Sequence, residues 1–531
     1  MDNHKTRHSF LGTASLVMGA FVLSRMLGLV RVALVGSAFG TSADADAFGA
    51  ASRVTETLFT LVAGGALASA FVPTFVSYLT RGDRDGGWHV ASAVINLVLL
   101  VSLVVSLVAA IAAPWIVARV LAPGYDSSTQ VLTVALLRWM LASTVIFVVS
   151  GLLMGILNAN DHFLLPALAP SMYNLGIILG VLLLAKRWGV YGAAIGTVIG
   201  ALMHLLVQVP AVFKLDWQYK LVLGLRSAGV REVGRLMGPR VLGGAVTQLN
   251  FWVNTNLASR IPANGVVAAL TQGWALMLLP QGIFAQAIGT VLLPSLSAQA
   301  ARDERSEMRT TLMGAVRALL YLTLPASVGM VVLGRPLVVL FFQRGAFDAH
   351  SVAMVSWALS WYAIALVAHS ELEVLTRAFY ALHDTATPVW VGGGAMALNV
   401  VLSLLLRGIF DRLGPGSAVD YAPWMALGGL ALANSIATIL ETLLLAWLLR
   451  KRLGGLDGGA FWASLWRAGL GAMAMCGALL GFQALLPDAN AWVLGGGGVV
   501  LGGVVYLGAT ALLRSPELAV VLSAVRQRVG K

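Results

Sequence analysis

The chain has 531 residues, of which 58% are apolar and only 11% are Asp, Glu, Lys or Arg, and its formal net charge is +12. Soluble proteins carry about 25% charged residues, so this composition excludes a water-soluble globule, and the mean hydropathy of +0.85 also excludes a disordered chain. The single cysteine, Cys476, excludes a disulfide-stapled scaffold.

Apolar stretches of about 20 residues are long enough to cross the ~30 Å hydrocarbon core of a bilayer as helices. The sequence contains about fourteen of them, which predicts an all-α polytopic membrane protein. The first stretch is too long, and too interrupted by Arg25 and Arg31, to be a cleavable signal peptide, so we expect it to be retained. The predicted spans are 10–37, 47–79, 89–117, 129–157, 163–186, 190–213, 232–259, 265–298, 311–333, 351–382, 387–409, 423–449, 462–486 and 490–513.

The positive charge is spread over the loops between these spans. A sequence pI near 10.2 is often typical of nucleic-acid binding, but here the cations do not cluster, and we expect no nucleic-acid partner. Loops on one side carry most of the Lys and Arg residues, among them Arg81, Arg84, Lys214, Arg302 and Arg305. The positive-inside rule then predicts that both termini are cytoplasmic.

An internal repeat is visible at the ends of the second and eighth predicted helices. Each ends in small and apolar residues followed by a proline, Pro73 in one and Pro294 in the other, and each leads into a charged loop. An offset of six spans predicts two parallel bundles related by an axis along the membrane normal. We therefore expect six-helix bundles in 1–228 and 229–455, and two additional helices with a short tail in 456–531.

The sequence lacks the motifs of enzymes. No Cys/His metal spacing, Walker A loop, nucleophile elbow or HExxH motif occurs, so we expect a transporter without a cofactor rather than an enzyme. The glycines at 495–498, with Gly502 and Gly503, lie inside the last predicted helix. We expect them to permit close helix packing rather than to bind phosphate.

Charged side chains at membrane depth are costly and usually functional. The first helix carries two arginines on either side of Gly28, where a bend would turn both toward one cavity. Arginines on adjacent helices predict an anion-binding cavity, because guanidinium groups match phosphate geometry, although a salt-bridged structural arginine is the alternative. The predicted substrate-binding residues are Arg25, Arg31, Asp46, Arg53 and Glu56.

A second set of polar residues lies along the tenth predicted helix. His369, Glu373 and Arg377 follow one another at intervals of four, so they share a face. A purely structural Glu373–Arg377 pair and a proton-linked role for His369 or Glu373 both remain open. The amides of the seventh helix either line a cavity or join helices. The candidates for coupling or gating are Gly28, Gln248, Asn254, His369, Glu373 and Arg377.

Several different short motifs follow one another in a specific order along nearly the whole chain. They are Ser24–Arg31, Asp46–Phe48, Gly65–Pro73, Ala122–Tyr125, Gly155–Asn174, Leu279–Ile283, Gly289–Ser295, Phe342–Phe347, Arg377–Ala381 and Asp384–Pro388. In this order the chain resembles the MurJ (MviN) family of lipid II flippases, within the multidrug/oligosaccharidyl-lipid/polysaccharide (MOP) exporter superfamily.

The resemblance implies a cargo and a mechanism. The cargo would be lipid II, an undecaprenyl-diphosphate-linked peptidoglycan precursor, flipped from the cytoplasmic to the outer leaflet of the bacterial inner membrane by alternating access. The family's cavity residues fall on Arg25, Arg31 and Asp46, and a basic position of the family falls on Arg53. Such a cavity would replace the water around the diphosphate while the polyprenyl tail stays in lipid. Membrane lipids and the cell-wall synthesis machinery are the implied partners.

The chain departs from the family where charge is common. Phe59 and Thr60 stand in place of a basic pair, Ala275 in place of an arginine, and Leu278 in place of an acid. The cavity is therefore expected to be less charged and polarised toward the first bundle. Two alternatives to lipid II flipping remain open: export of another polyprenyl-linked glycan or of a drug, and a non-transporting paralogue.

The sequence leaves the energy source open between Na⁺, H⁺ and the membrane potential, which acts at ~2.3 kcal/mol per charge per 100 mV. The resemblance implies a sodium site in some relatives between helices 7, 11 and 12. Weak ion-site candidates here are Asn399, Ser403, Asn434 and Thr438. No carboxylate is among them, so we expect no tight metal site.

Overall fold

A computed structural model describes residues 2–62, 65–215, 217–412 and 422–519, and these residues form helices joined by short connections, with no β-strand in those ranges. The predicted all-α fold is confirmed. The chain divides into two compact units, Met1–Ala268 (unit 1) and Ala269–Lys531 (unit 2). Residues 520–531 of the predicted tail lie outside the described residues.

Unit 1 contains the first ten helices. They are α1 (Asp2–Phe39), α2 (Ala43–Val62), α3 (Gly65–Thr80), α4 (Arg84–Trp115), α5 (Ser127–Ala159), α6 (Leu164–Leu179), α7 (Ala185–Trp188), α8 (Val190–Leu206), α9 (Val209–Phe213) and α10 (Ala228–Ser259). Short π-helical segments extend α4 over Ile116–Leu121 and join α6 to α7 over Gly180–Leu184. The next helix, α11 (Val266–Ala301), begins at the end of unit 1.

Unit 2 contains the rest of α11 and eight further helices. They are α12 (Arg305–Val332), α13 (Gly334–Phe342), α14 (Ala349–Ala363), α15 (Leu366–Ala381), α16 (Ala386–Arg412), α17 (Leu427–Arg452), α18 (Gly458–Leu485) and α19 (Gly498–Leu512). A 3₁₀ turn over Pro423–Ala426 precedes α17, and a π-helical segment over Trp492–Gly497 precedes α19.

Aspartate caps fix the loop ends of several helices. Asp83, Asp126, Asp348 and Asp457 precede α4, α5, α14 and α18, and each side chain accepts a hydrogen bond from a backbone N–H in the first turn. These N–H groups have no partner within the helix, so a carboxylate at this position both satisfies them and complements the helix dipole. The loop ends are therefore defined locally by the sequence.

The predicted fourteen membrane spans are not confirmed. Among the described residues, 11 helical segments are long and apolar enough to cross a membrane, or 12 if α14 and α15 are one span. The predicted second and seventh spans fall on α2–α3 and α10, which are not among them. Helix α2 carries four charged residues and α10 carries a series of amides, and both lower the hydropathy of their helix. Polar composition thus marks the helices that hold much of the candidate site.

The predicted helix 351–382 is in fact two helices. Helices α14 and α15 meet at an angle of 48°. Carbonyls next to the break find partners on neighbouring helices, because Ser327 Oγ donates to Ala363 O at 2.6 Å and Ser435 Oγ donates to Trp361 O at 2.7 Å. Side chains that bond to the freed carbonyls explain why the helix breaks without a proline or glycine at the bend.

Glycines bring two helix pairs into close contact. In unit 1, a Cβ on Gly176 would lie 2.2 Å from the Cα of Gly200, so α6 and α8 touch backbone to backbone. In the predicted glycine run, a Cβ on Gly498 would meet Leu333, and one on Gly502 would meet Met475, whereas Gly503 faces open space. Part of that run therefore serves close packing.

Helix α10 belongs to unit 1 by its packing. It contacts α2 and α3, and the boundary between the compact units follows Ala268 rather than residue 228. The predicted division into 1–228, 229–455 and 456–531 concerns internal symmetry, which packing does not test. It stays a prediction.

Candidate functional site

The first candidate site lies in unit 1, where α1 packs on α6. Helix α1 continues through Gly28 without interruption. Gly28 lies against the side chain of Asn174, whose Nδ2 donates to Ser24 O at 3.2 Å and to Pro170 O at 3.1 Å. The absence of a side chain at Gly28 lets Asn174 reach the backbone of α1. This contact fixes α1 midway between the two predicted arginines.

Those arginines have different surroundings. Arg25 is exposed, and Arg31 is partly buried with its guanidinium 5.8 Å from the centroid of the Tyr173 ring. Neither forms an ion pair with a carboxylate within the part of the chain that the structure describes. An aromatic face attracts a guanidinium without neutralising its charge. Both charges are thus available to an anionic ligand.

Helix α2 adds a third arginine. Arg53 Nη1 lies 3.2 Å from Glu56 Oε2, and its guanidinium lies 5.0 Å from the centroid of the Phe251 ring on α10. The Tyr173 hydroxyl lies close enough to both Arg31 and Glu56 to interact electrostatically with each of them. We call Arg31, Arg53, Glu56 and Tyr173 the unit 1 polar cluster.

The carboxylates of this region behave differently from each other. Glu56 is 52% exposed and pairs with Arg53. Asp46 is 2% exposed, and its two oxygens accept hydrogen bonds from the backbone N–H groups of Gly265 at 2.7 Å and Ala268 at 2.8 Å. Asp46 therefore caps the start of α11 and is not part of the unit 1 polar cluster.

The amides of α10 form hydrogen bonds both to other helices and within α10. Gln248 accepts a hydrogen bond from Thr57 Oγ1 at 3.2 Å and donates to Thr60 Oγ1 at 3.4 Å, so it links α10 to α2. Asn254 Nδ2 donates to Asn250 Oδ1 at 2.9 Å within α10 itself. Of the two open interpretations, these contacts favour helix joining at Gln248.

The second candidate site is a cavity of about 350 Å³ inside unit 2. The structure places the three residues of the tenth predicted helix together here, on α15. Glu373 Oε1 and Arg377 Nη2 are 2.6 Å apart, and Arg377 packs directly on Gly289 of α11. The lining of this unit 2 cavity consists of Gln281, His369, Leu372, Glu373, Thr376, Arg377 and Tyr380.

His369 connects this cavity to the predicted ion-site residues. Its Nε2 lies 3.3 Å from Asn434 Oδ1 on α17, and its ring packs edge-on against Trp274, with centroids 5.1 Å apart. Asn399 and Ser403 are buried on α16, and Thr438 is buried on α17. The described residues contain no group of three or more His, Cys, Asp or Glu side chains placed to hold a metal ion.

Two of the contributing aromatic residues were not predicted from the sequence. Tyr173 and Phe251 face Arg31 and Arg53, but each lies on a helix far away along the chain. Tyr173 directly precedes Asn174, which ends one of the sequence motifs, and that adjacency is the one signal in the sequence that could have identified it. Phe251 has no comparable signal, because a phenylalanine in an apolar helix is ordinarily a packing residue.

Comparison with known proteins identifies relatives over most of the chain. Residues 35–495 match the family model described as lipid II flippase MurJ. A Burkholderia cenocepacia protein named lipid II flippase MurJ is 32% identical over 444 residues, which is 82% of this chain and 83% of the relative. A Rhizobium meliloti protein named probable lipid II flippase MurJ is 31% identical over 417 residues, 77% of each chain.

Solved structures also match the chain. One described as lipid II flippase MurJ in an inward closed conformation matches with a TM-score of 0.77 and 25% identity, covering 94% of this chain and 98% of that one. An inward-facing multidrug transporter of the MATE family in the MOP superfamily matches with a TM-score of 0.66 and 17% identity, covering 82% of this chain and 98% of that one. The second likeness concerns the fold alone.

Proposed function

The chain belongs to the lipid II flippase MurJ family, and on that premise we propose that it moves lipid II from the cytoplasmic to the outer leaflet of the inner membrane. Membership of this family confirms the resemblance and places the chain among transporters rather than enzymes. The names of its relatives support lipid II as the cargo. The cargo's diphosphate would need a polar, cationic path across the hydrocarbon core.

One observation carries the proposal for how the cargo is held. Arg25 and Arg31 lie inside Gly19–Phe39, a segment apolar enough to cross the membrane, and neither is paired with a carboxylate among the residues described. An uncompensated guanidinium at membrane depth is unfavourable unless an anion or water reaches it. A diphosphate supplies the missing negative charge and accepts bidentate hydrogen bonds.

The other residues of unit 1 then have distinct roles. Arg31 and Arg53 donate to the diphosphate oxygens, Tyr173 supports Arg31, and Glu56 keeps Arg53 in place until the cargo binds. Asp46 acts by holding the start of α11 rather than by touching the cargo, because both of its oxygens already accept hydrogen bonds. In alternating access the cluster would face each side of the membrane in turn.

The proposal is tested by reconstituting the purified chain in liposomes and measuring the flipping of labelled lipid II. We expect Arg31→Ala and Arg53→Ala each to lower the flipping rate roughly 10- to 100-fold, the scale of one charge-assisted hydrogen bond. Arg138→Ala is the matched control, since Arg138 donates to Ala110 O and belongs to neither site. Flipping at the wild-type rate by an Arg25→Ala, Arg31→Ala double variant would refute the role of these residues.

A second cargo is favoured by one feature of α2. Phe59, which stands where the family resemblance implies a basic residue, packs against Phe147 with ring centroids 4.9 Å apart. It fills the position with apolar contacts and offers nothing to a polar headgroup. Another polyprenyl-diphosphate glycan with a simpler headgroup would need fewer such contacts. Parallel assays with lipid II and a polyprenyl-diphosphate monosaccharide separate the two cargoes, and flipping of neither would identify a non-transporting paralogue.

We also propose that unit 2 couples transport to an ion gradient or to the membrane potential. The observation behind this is the partly buried ion pair of Glu373 and Arg377, which shares a cavity with His369. Asn399, Ser403, Asn434 and Thr438 are the further candidates for an ion site. Flipping measured with only a sodium gradient, only a proton gradient or only a potential identifies the source, and equal rates in all three would refute coupling.

The proposed orientation has both termini in the cytoplasm. Cys476 is the only cysteine of the chain, so Cys476→Ser gives a background for single introduced cysteines. Arg84→Cys, at the first residue of α4, should react with an impermeant maleimide only in inverted vesicles. Labelling in intact cells would reverse the orientation. Co-purification of cell-wall synthesis enzymes tests the remaining expected partners.

A further inference from the structure

A second basic pocket, separate from the sites above, lies at the start of α12. It has a volume of about 370 Å³ and is closed on one side by the loop between α17 and α18. Its lining residues lie along one face of α12 and on that loop. They are Ser306, Arg309, Thr310, Met313, Arg317, Gly455, Leu456 and Asp457. We call it the α12 pocket.

The two arginines keep unused donors. Arg309 makes only a long hydrogen bond, from Nη1 to Gly454 O at 3.4 Å, and it forms no ion pair within the described ranges. Arg317 Nη1 lies 3.9 Å from Glu517 Oε1, and its buried Nε has no hydrogen-bond partner among the residues described. A guanidinium has five N–H donors, so both side chains can still bind an anion.

The neighbouring carboxylates are already engaged. Asp457 accepts a hydrogen bond from Ala460 N at 3.2 Å, as the cap of α18. Glu517 accepts from Ser464 Oγ at 2.5 Å and from Ser515 Oγ at 2.8 Å. These hydrogen bonds hold the two acids in place, while Ser306 and Thr310 line the same cavity and Thr310 Oγ1 donates to Ser306 O at 3.1 Å. The set of donors fits a phosphate group.

The depth of the pocket points to a lipid. Helix α12 has 28 residues and is about 42 Å long at 1.5 Å per residue, which exceeds the ~30 Å hydrocarbon core. Its first turns, which carry Ser306 and Arg309, therefore lie at headgroup level. Met313 and Leu456 add apolar surface to the lining of the pocket. Basic pockets of this kind at the membrane surface bind anionic headgroups.

We propose that the α12 pocket binds the phosphate of an anionic phospholipid from the leaflet at this end of unit 2. Arg309 and Arg317 hold the phosphate oxygens, Ser306 donates a hydroxyl hydrogen bond, and Met313 and Leu456 contact the start of the acyl chains. The bound lipid would join α12 to the α17–α18 loop. The proposal concerns a resident lipid and does not depend on the cargo.

The test is a lipid titration of the purified, delipidated full chain, followed by native mass spectrometry, with phosphatidylglycerol as the probe and phosphatidylcholine as the neutral comparator. We expect Arg309→Gln to weaken phosphatidylglycerol binding roughly five- to tenfold, the scale of one basic residue at a membrane surface. Arg305→Gln is the matched control on the same helix, since Arg305 is 63% exposed and pairs with Asp303 outside the pocket. It should change binding less than about twofold.

A second variant separates the pocket from general surface charge. Ser306→Trp leaves every charge in place but fills the pocket, and we expect it to abolish the preference for phosphatidylglycerol while the thermal unfolding temperature stays unchanged. Equal weakening by Arg305→Gln and Arg309→Gln would overturn the proposal, as would equal binding of the two lipids. Protection of Arg309 from phenylglyoxal by inorganic phosphate but not by phosphatidylglycerol would assign the pocket to a soluble anion. That outcome would overturn the proposal that the pocket binds a lipid.

Discussion

Asp46 Oδ2 accepts a hydrogen bond of 2.7 Å from the backbone N–H of Gly265, and this contact joins α2 to the first turn of α11. Gly265 has a φ of +84°, and a Cβ there would lie 2.0 Å from Thr41 O, so only glycine lets the chain turn into the cap. The charged residue of α2 with the deepest burial thus orders another helix.

We predict that Asp46→Asn lowers the free energy of unfolding by about 1–2 kcal/mol, because the cap loses its charge and one of its two acceptors. Thermal unfolding of the detergent-solubilised protein measures the change. Asp44→Asn is the control, since Asp44 is exposed and lies two residues before Asp46, on the opposite face of α2. Lost flipping with an unchanged unfolding temperature would instead make Asp46 a direct ligand of the cargo.

A double-mutant cycle tests the ion pair of the unit 2 cavity. Glu373 and Arg377 are 29% and 17% exposed, so either single change to Gln leaves a partly buried charge without its partner. We expect each single variant to lose about 1–2 kcal/mol of stability and the double variant to lose less than the sum. Additive losses would show that the two side chains do not interact in solution.

The glycine contact between α6 and α8 should not tolerate a methyl group. A Cβ on Gly176 would collide with the backbone of Gly200, which cannot rotate away, so we expect Gly176→Ala to cost about 2–3 kcal/mol or to prevent folding. Gly503→Ala is the control, because its Cβ would meet no atom within 4 Å. We expect that variant to be neutral or slightly stabilising, as judged by thermal unfolding.

An ion pair at the end of α17 should make stability depend on pH. Arg452 pairs with Asp384, donates to Thr387 Oγ1 at 3.0 Å, and lies over the Phe379 ring. Burial raises the pKa of Asp384, but hydrogen bonds from Thr387 and Ala386 and the charge of Arg452 outweigh it, so the pKa lies below its ordinary 3.8. A lowered pKa stabilises the fold above pH 3.8, and this stabilisation is lost as the pH falls through the lowered value.

We therefore expect Asp384→Asn to be less stable than the wild type near neutral pH, and the difference to shrink as the pH falls below 3.8. Thermal unfolding across a pH series measures it. Asp303→Asn serves for comparison, because the Asp303 carboxylate is 81% exposed. We expect this variant to change the free energy of unfolding by less than about 0.5 kcal/mol at neutral pH. A difference that grows on acidification would contradict the assigned direction.

The candidate site was predictable where it depends on local periodicity. His369, Glu373 and Arg377 follow the helical repeat, and the structure places all three on one cavity. Gly28 and its two arginines were likewise visible in a single short motif. Contacts between distant segments were not predictable in this way. Asp46 was predicted to bind the substrate together with Arg53, which lies seven residues later on the same face of the helix. Its carboxylate instead bonds to Gly265, 219 positions along the chain.

By itself, the sequence determined the fold class and the family. Apolar runs of membrane-spanning length leave an all-α polytopic fold as the physically acceptable one, since backbone polar groups in lipid must bond within the helix. Tertiary structure alone decided which charged residues stay free and which are engaged. The net charge of +12 does not distinguish Arg25, which has no carboxylate partner among the described residues, from Arg377, which is paired with Glu373. A side chain's role depends on which atoms from other helices come within about 3–4 Å of it, and only packing sets those distances.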